Sequence, residues 1–203
     1  MNINLSLSAA LGFLLCIGHN YALADQGVPP GLPFVSPNGL CSVELIEIDR
    51  EWRYAIRNVK SGYVDNSIVM PTVLLYLHWA ANSQSIVTVE HIAKGSSGRV
   101  IYLKGGKWMD VKVNPPGDGW RDFAIVNLEI GADHVHYKFV VRHIKNDGIP
   151  LDHKFCDLDV DLRTGRRSNV RWISISEQEE AATLARKPSY IPPMKEAVNE
   201  TSH

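Results

Sequence analysis

The chain has 203 residues, with 21 basic and 22 acidic side chains and a formal net charge of −1 at pH 7. A balance this close to neutral gives no electrostatic reason to expect nucleic acid or an anionic membrane surface as a partner. The chain is long enough for one domain with a sizeable core, and no apolar run reaches the length of a membrane-spanning helix.

Residues 1–24 are predicted to be a secretory signal peptide. Leu5–Ile17 is an uncharged apolar run, and the following Ala-Leu-Ala sequence, which ends at Ala24, is a small-x-small cleavage pattern. The protein is therefore expected to be secreted, or periplasmic if the cell is bacterial. An alternative cut after Gly18 would expose His19, an N-terminal copper ligand of the kind found in lytic polysaccharide monooxygenases, but the later cut fits the small-residue rule better.

Residues 25–40 are predicted to form a proline-rich arm, because proline lacks the amide hydrogen that a sheet requires. Residues 41–175 follow as the folded domain, with about ten segments of strand periodicity separated by turn residues. Their ranges are 41–48, 52–59, 72–79, 85–91, 98–103, 107–113, 120–128, 133–143, 155–162 and 170–175. Short, evenly spaced strands predict an all-β antiparallel sandwich or barrel.

Residues 176–203 are predicted to be a short helix and a polar tail. Ser176 and Glu179 form a capping-box pattern, which favours a helix from 176 to about 186. Asn199 begins an Asn-Glu-Thr sequon, a glycosylation site if the cell is eukaryotic.

Removal of the signal peptide leaves two cysteines, Cys41 and Cys156. Two cysteines in an exported protein are expected to pair, so the sequence predicts a disulfide between the first strand and one of the last. A bridge that closes so long a loop would contribute about 4–5 kcal/mol in the loop-entropy model.

The strand at 133–143 carries a His-x-His pair. His134 and His136 share its wet face, because side chains alternate between the two faces of a strand. Such pairs hold zinc or iron in several β-proteins, but a third ligand is needed, and His91 or His153 could supply it only if the fold brings it near. Two solvated histidines are the simpler interpretation, so no metal and no cofactor are expected.

The tryptophans indicate a different kind of site. Trp108 shares its strand face with Asp110, and Trp172 lies opposite two isoleucines, so both indoles are predicted to be exposed. An indole on a wet strand face, beside hydrogen-bonding side chains, is typical of a sugar platform. The alternative is that the arm or the tail covers Trp108.

Four segments resemble the immunoglobulin-like carbohydrate-binding modules of starch- and β-glucan-binding proteins. They are Val87-Thr-Val-Glu-His-Ile92, Gly105-Gly-Lys-Trp-Met109, Gly119-Trp-Arg-Asp-Phe123 and the stretch from Leu128 to Phe139. Ala132, inserted between Gly131 and Asp133, departs from the family pattern. The resemblance implies an immunoglobulin-like β-sandwich and a non-catalytic glycan binder, with Trp108, Trp120 and His136 as matching positions.

The leading hypothesis is therefore a secreted, non-enzymatic module that binds polysaccharide through an exposed aromatic sheet face. Its predicted ligand-binding residues are Trp108, Asp110, Trp120, His134, His136 and Trp172. The alternatives are a protein-interaction or structural module that uses the same face, and a metal-dependent enzyme built on His134 and His136.

Overall fold

Three antiparallel meanders follow one another along the chain, each made of four strands. The computed structural model describes residues 33–70, 73–93, 95–117, 120–144, 150–186 and 188. The first meander contains β1 (Phe34–Val35), β2 (Cys41–Ile48), β3 (Glu51–Asn58) and β4 (Val64–Met70). The second contains β5 (Leu74–Trp79), β6 (Ser85–Ile92), β7 (Gly95–Lys104) and β8 (Lys107–Val113). The third contains β9 (Trp120–Ile130), β10 (His134–Ile144), β11 (Pro150–Asp161) and β12 (Arg167–Ile175).

The second and third meanders are joined where Gly95 of β7 pairs in parallel with Phe123 of β9. Beside this pair, the Ile125 amide donates a hydrogen bond to the Ser96 hydroxyl (2.9 Å). A Cβ at Gly95 would lie 1.8 Å from the Phe123 carbonyl oxygen, and the φ of +139° is one that other residues rarely adopt. Strands β5–β12 therefore form one hydrogen-bonded sheet that turns at a position only glycine can occupy.

The second meander is the middle layer of the stack, because both of its faces are buried. Successive β6 residues point in opposite directions. Ile86 packs with Tyr54 in the core shared with the first meander. Val87 packs with Tyr137 in the core shared with the third meander. All six residues from Ser85 to Glu90 are buried, as expected of a strand covered on both sides.

A buried ion pair lies in the core between the first and second meanders. Arg99 Nε donates to Glu90 Oε1 (2.6 Å), and Arg99 Nη2 donates to Glu90 Oε2 (3.1 Å). Tyr54 Oη, from the first meander, donates to Glu90 Oε1 (2.9 Å). The remaining Arg99 amino group, Nη1, donates to Asp110 on β8. Burial, together with the negative charge of Glu90, raises the pKa of Tyr54, so the phenol remains a neutral donor. This network links the two layers.

The prediction of an immunoglobulin-like sandwich is wrong. A sandwich has two sheets packed over one core, whereas the described residues form three meanders with two cores between them, and the second and third meanders belong to one eight-stranded sheet. Immunoglobulin topology also requires Greek-key connections that pass between the sheets. Here the strands of each meander lie side by side in chain order. The all-β class and the antiparallel pairing are correct.

The predicted disulfide is also wrong, since Cys41 and Cys156 are both free thiols. Cys41 packs against the core between the first and second meanders, and Cys156 lies in the core between the second and third. The middle meander separates them, and packed sheets are about 10 Å apart, which exceeds the reach of a disulfide. Burial, with the nearby charge of Asp157, raises the pKa of Cys156 to about 12, so this thiol stays protonated.

Helix α1 (Glu177–Leu184) follows β12 and lies against the outer face of the third meander. Its predicted capping box is confirmed: the Glu179 amide donates to the Ser176 hydroxyl, and the Ser176 amide donates to the Glu179 carboxylate. Glu180, which is 1% exposed, contacts Arg142 of β10 and His153 of β11. These two contacts hold the helix on the sheet.

The structure agrees with the other strand predictions and adds two strands. Residues 41–48 and 107–113 form β2 and β8 with the predicted bounds, whereas β1 and β4 were not predicted. No helix within the described ranges is long and apolar enough to cross a membrane. The predicted signal peptide, the alternative N-terminus at His19 and the sequon at Asn199 lie outside the described residues.

Candidate functional site

The six residues predicted to bind a ligand lie in three separate places. Trp108 and Asp110 are on β8, in the core region between the first and second meanders. Trp120 and Trp172 pack against the core between the second and third meanders. His134 and His136 are on the outer face of the third meander. No common surface brings the indoles and the imidazoles together.

Trp108 is not an exposed platform. It shares its face with Asp110, as the alternation predicts, but the indole is half-buried against the core between the first and second meanders. It lies edge-on to Trp79, with ring centroids 5.9 Å apart. Asp110 accepts a hydrogen bond from Arg99 and keeps 32% of its side chain exposed. Trp108 therefore belongs to the interface between two layers, and Asp110 lies at its rim.

Trp120 and Trp172 form a stacked pair on the inner face of the third meander. Their ring centroids lie 4.8 Å apart with an interplanar angle of 26°. The Trp120 indole nitrogen donates to the Pro116 carbonyl oxygen (2.8 Å). Both rings are partly buried against the core, so each presents only part of its surface to solvent.

His134 and His136 point outward as predicted, and their neighbours on β11 are carboxylates. His136 Nδ1 lies 2.7 Å from Asp159 Oδ1, and His136 Nε2 lies 3.9 Å from Asp157 Oδ1. Neither His91 nor His153 completes a metal site: within the described ranges, no group of three or more His, Cys, Asp or Glu side chains could hold a metal ion. His136 acts here as a hydrogen-bond partner of Asp159.

Asp159 is expected to make the third meander sensitive to acid. Burial works against its ionised form, but hydrogen bonds from Asn169 and His136 hold the pKa of Asp159 below its usual value. A depressed folded-state pKa stabilises the fold above the unfolded value of about 3.9, and this contribution is lost as the pH falls through the folded pKa.

The variant Asp159→Asn should therefore flatten the loss of stability between about pH 5 and pH 3, measured by urea unfolding at several pH values. Asp133→Asn is the matched control, because that side chain is 68% exposed beside Arg163 and should contribute little. Equal slopes for Asp159→Asn and the wild type would contradict the role assigned to Asp159.

Strand β12, at the edge of the third meander, is largely exposed. Strand β12 is the last in its sheet and pairs with β11 along one side. Seven of its nine residues are exposed. From Arg171 to Ile175, five successive residues pair with β11 without a register shift. We call Arg171–Ile175 the open edge; in the described part of the chain, no other strand pairs with it.

The first half of β12 is shaped differently. The register with β11 shifts between Asp157 and Asp159, and Asn169 has a φ of +52°. Bulges of this kind protect sheet edges against unwanted pairing. This bulge lies before the open edge, and the open edge itself pairs with β11 without a register shift.

Side chains on both faces of the open edge suit an incoming strand. Ile173 is 36% exposed on the outer face, and the partly buried Trp172 lies on the inner face. The Arg171 side chain, 70% exposed, donates from Nε and Nη2 to Asp157 Oδ2. Apolar side chains would add affinity, while Arg171 would favour a carboxylate.

The edge of β8 differs from the open edge because part of it is covered. Arg167 Nη2 donates to the Lys112 carbonyl oxygen on β8 (2.5 Å). Strand β5, at another edge, has mostly buried or half-buried residues. The sequence analysis missed the open edge, because the pattern of residues 170–175 identifies a strand without showing that it is the last of its sheet.

The described residues form an all-β domain of stacked four-stranded meanders, with a regular, exposed edge at Arg171–Ile175. Consecutive four-stranded sheets are also the repeating unit of β-propellers. No family model and no curated protein matches this chain.

Three solved structures illustrate the similarity. The β-propeller domain of the trilobed protease from Pyrococcus furiosus is 8% identical with a TM-score of 0.43, and the match covers 71% of this chain and 43% of that one. An acylaminoacyl peptidase bound to a chloromethyl ketone is 11% identical with a TM-score of 0.40, and the match covers 71% of this chain and 25% of that one. A candidate TolB protein from Agrobacterium tumefaciens is 9% identical with a TM-score of 0.35, and the match covers 72% of this chain and 52% of that one. The chain thus spans from a quarter to about half of their lengths, and TM-scores of this size assign neither activity nor family.

The predicted resemblance to immunoglobulin-like carbohydrate-binding modules is wrong, and so is the glycan-binding function derived from it. The strand order excludes the immunoglobulin topology, and the first meander covers the indole proposed as the sugar platform.

Proposed function

We propose that this chain is an exported protein-binding domain that captures an extended segment of a partner at its open edge. The observation that carries this proposal is the exposed stretch Arg171–Ile175 of β12, which pairs with β11 without a register shift and has no second strand beside it in the described part of the chain. An edge strand offers a row of amide and carbonyl groups, and an extended peptide that adds to it satisfies those groups.

The stack beneath the open edge supports this function. Trp172 is backed by Trp120, and the β11 residues opposite the edge belong to a strand anchored in the core. The edge is thus held in an extended conformation before a partner arrives, which reduces the entropy that binding must overcome. The third meander provides a template that need not reorganise.

A selection from phage-displayed linear dodecapeptides on the immobilised protein tests the proposal. Selected peptides should alternate apolar and polar residues. The variant Ile173→Lys should weaken their binding about tenfold in fluorescence anisotropy, because it replaces buried apolar contact with a charge. Met109→Lys is the matched control: Met109 is 46% exposed on β8 and should leave affinity unchanged.

Either of two outcomes would overturn the proposal. One is the absence of any peptide enriched above background. The other is an equal loss of binding in Met109→Lys and Ile173→Lys, which would place the contact away from β12. Export is tested separately, since mass spectrometry of the mature protein should show an N-terminus at Asp25.

A further inference from the structure

We infer that the segment captured at the open edge is acidic, an inference that rests on the proposed function. Four arginines occur between Leu162 and Ser176, a stretch with no aspartate or glutamate. They are Arg163, Arg166, Arg167 and Arg171, and all four are exposed. This basic stretch comprises the β11–β12 turn and most of β12, in a protein whose overall charge is close to zero.

Carboxylates neutralise two of these four side chains. Arg163 lies 3.1 Å from Asp133, and Arg171 lies 2.8 Å from Asp157. Arg167 bonds instead to the Lys112 carbonyl oxygen, which carries no net charge. No carboxylate among the described residues pairs with Arg166 or Arg167, so they add positive charge beside the open edge, and the exposed Lys112 adds to it. An approaching carboxylate is attracted and a basic segment is repelled.

The same charges act against a second copy of this chain as the occupant. In a pairing of two copies through the open edge, each copy brings the same basic stretch, in which no described carboxylate pairs with Arg166 or Arg167. Like charges on the two copies repel each other. A partner with acidic residues replaces this repulsion with attraction.

The backbone favours a peptide over a nucleic acid. Basic side chains alone would attract either polyanion. The amides and carbonyls of the open edge form a ladder with another extended backbone, which a nucleic acid does not have. The half-exposed Ile173 and Trp172 also match alternate side chains of a strand.

Two fluorescein-labelled nonapeptides test the inference on the full chain. One alternates glutamate with valine, and the other alternates lysine with valine. In anisotropy measurements, the acidic peptide should bind about tenfold more tightly than the basic one, and its affinity should fall as salt screens the charges. A version of the acidic peptide N-methylated at alternate amides, which removes strand hydrogen bonds but keeps the charge, should bind at least about tenfold more weakly.

The double variant Arg166→Glu/Arg167→Glu should reverse the preference. Arg57→Glu is the matched control, because Arg57 is an exposed strand arginine on the first meander and should leave the preference unchanged. Circular dichroism of each variant separates loss of binding from loss of fold.

Each alternative occupant has its own signature. Equal affinity for the two peptides, with both weakened by Ile173→Lys, would refute the acidic preference while leaving strand capture intact. Failure of both peptides together with an empty phage selection would refute strand capture itself. Unchanged binding of the N-methylated peptide, or its displacement by oligothymidylate, would show a charge patch without strand addition. A dimer lost in Ile173→Lys would identify a second copy as the occupant and overturn the inference.

Discussion

Replacing Glu90 with alanine is expected to lower the free energy of unfolding by about 3–5 kcal/mol, because the change leaves Arg99 charged and buried without its main partner. The Glu90 and Arg99 side chains are 2% and 3% exposed. Tyr54 loses its acceptor at the same time. Urea unfolding followed by tryptophan fluorescence measures the difference.

Two controls separate the buried pair from surface charge. Glu44→Ala removes a carboxylate that lies 3.6 Å from Arg57, in a pair with 25% and 47% side-chain exposure, and should cost about 0–1 kcal/mol. The double variant Glu90→Leu/Arg99→Met removes both charges and should recover most of the stability lost in Glu90→Ala. If Glu90→Ala and Glu44→Ala cost the same, the network does not link the layers.

Replacing Gly95 with alanine is expected to destabilise the protein by about 3–4 kcal/mol, since strain and a backbone clash act together. The new Cβ would lie 1.8 Å from the Phe123 carbonyl oxygen, so β7 and β9 would have to separate. Hydrogen exchange at the Ile125 amide, which is bonded to Ser96 beside this junction, should accelerate.

Gly62→Ala isolates the contribution of backbone strain. Gly62 also has a positive φ, of +73°, but a Cβ there would meet no atom within 4 Å. Its cost should be about 1–2 kcal/mol, with no change in exchange at Ile125. If Gly95→Ala unfolds with the same free energy as Gly62→Ala, the contact between Gly95 and Phe123 is not a structural junction.

Strands with a regular apolar–polar alternation could be predicted from the sequence, because alternation reports which face is dry. The bounds of β2 and β8 are correct for this reason. Strand β4 was missed because three polar residues follow Val64, and five of the seven residues of Val64–Met70 are exposed or half-buried. The helix was predicted because its capping box is local: the two side chains that form it are three residues apart.

The number of layers could not be predicted in the same way. Alternation along β8 placed Trp108 opposite Met109 correctly, but a strand pattern does not say whether a second sheet covers the polar face. Here the first meander packs against Trp108, and Asp110, whose side chain is 32% exposed, bonds to Arg99. One unrecognised layer therefore turned an expected binding surface into an interface.

The disulfide prediction failed because the sequence does not show where each cysteine lies in the fold. Two thiols in an exported chain favour a bridge on statistical grounds, but Cys41 and Cys156 lie in different cores. No local feature of either strand records which core it enters.

The open edge also combines a property that the sequence predicts with one that only the structure shows. Its positive charge can be predicted from the sequence, which has four arginines and no acidic residue between Leu162 and Ser176. Its availability depends on β12 being last in its sheet, which is decided by pairing with β11 and by the turn away into α1.

By itself, the sequence determined the strands, the capped helix and the two faces of each strand, because these depend on neighbours a few residues away. The tertiary structure alone decided the three layers, the burial of Glu90 with Arg99 and the exposure of β12. These features depend on contacts between residues far apart in the chain. Such contacts form where segments distant in sequence bury their apolar surfaces against each other.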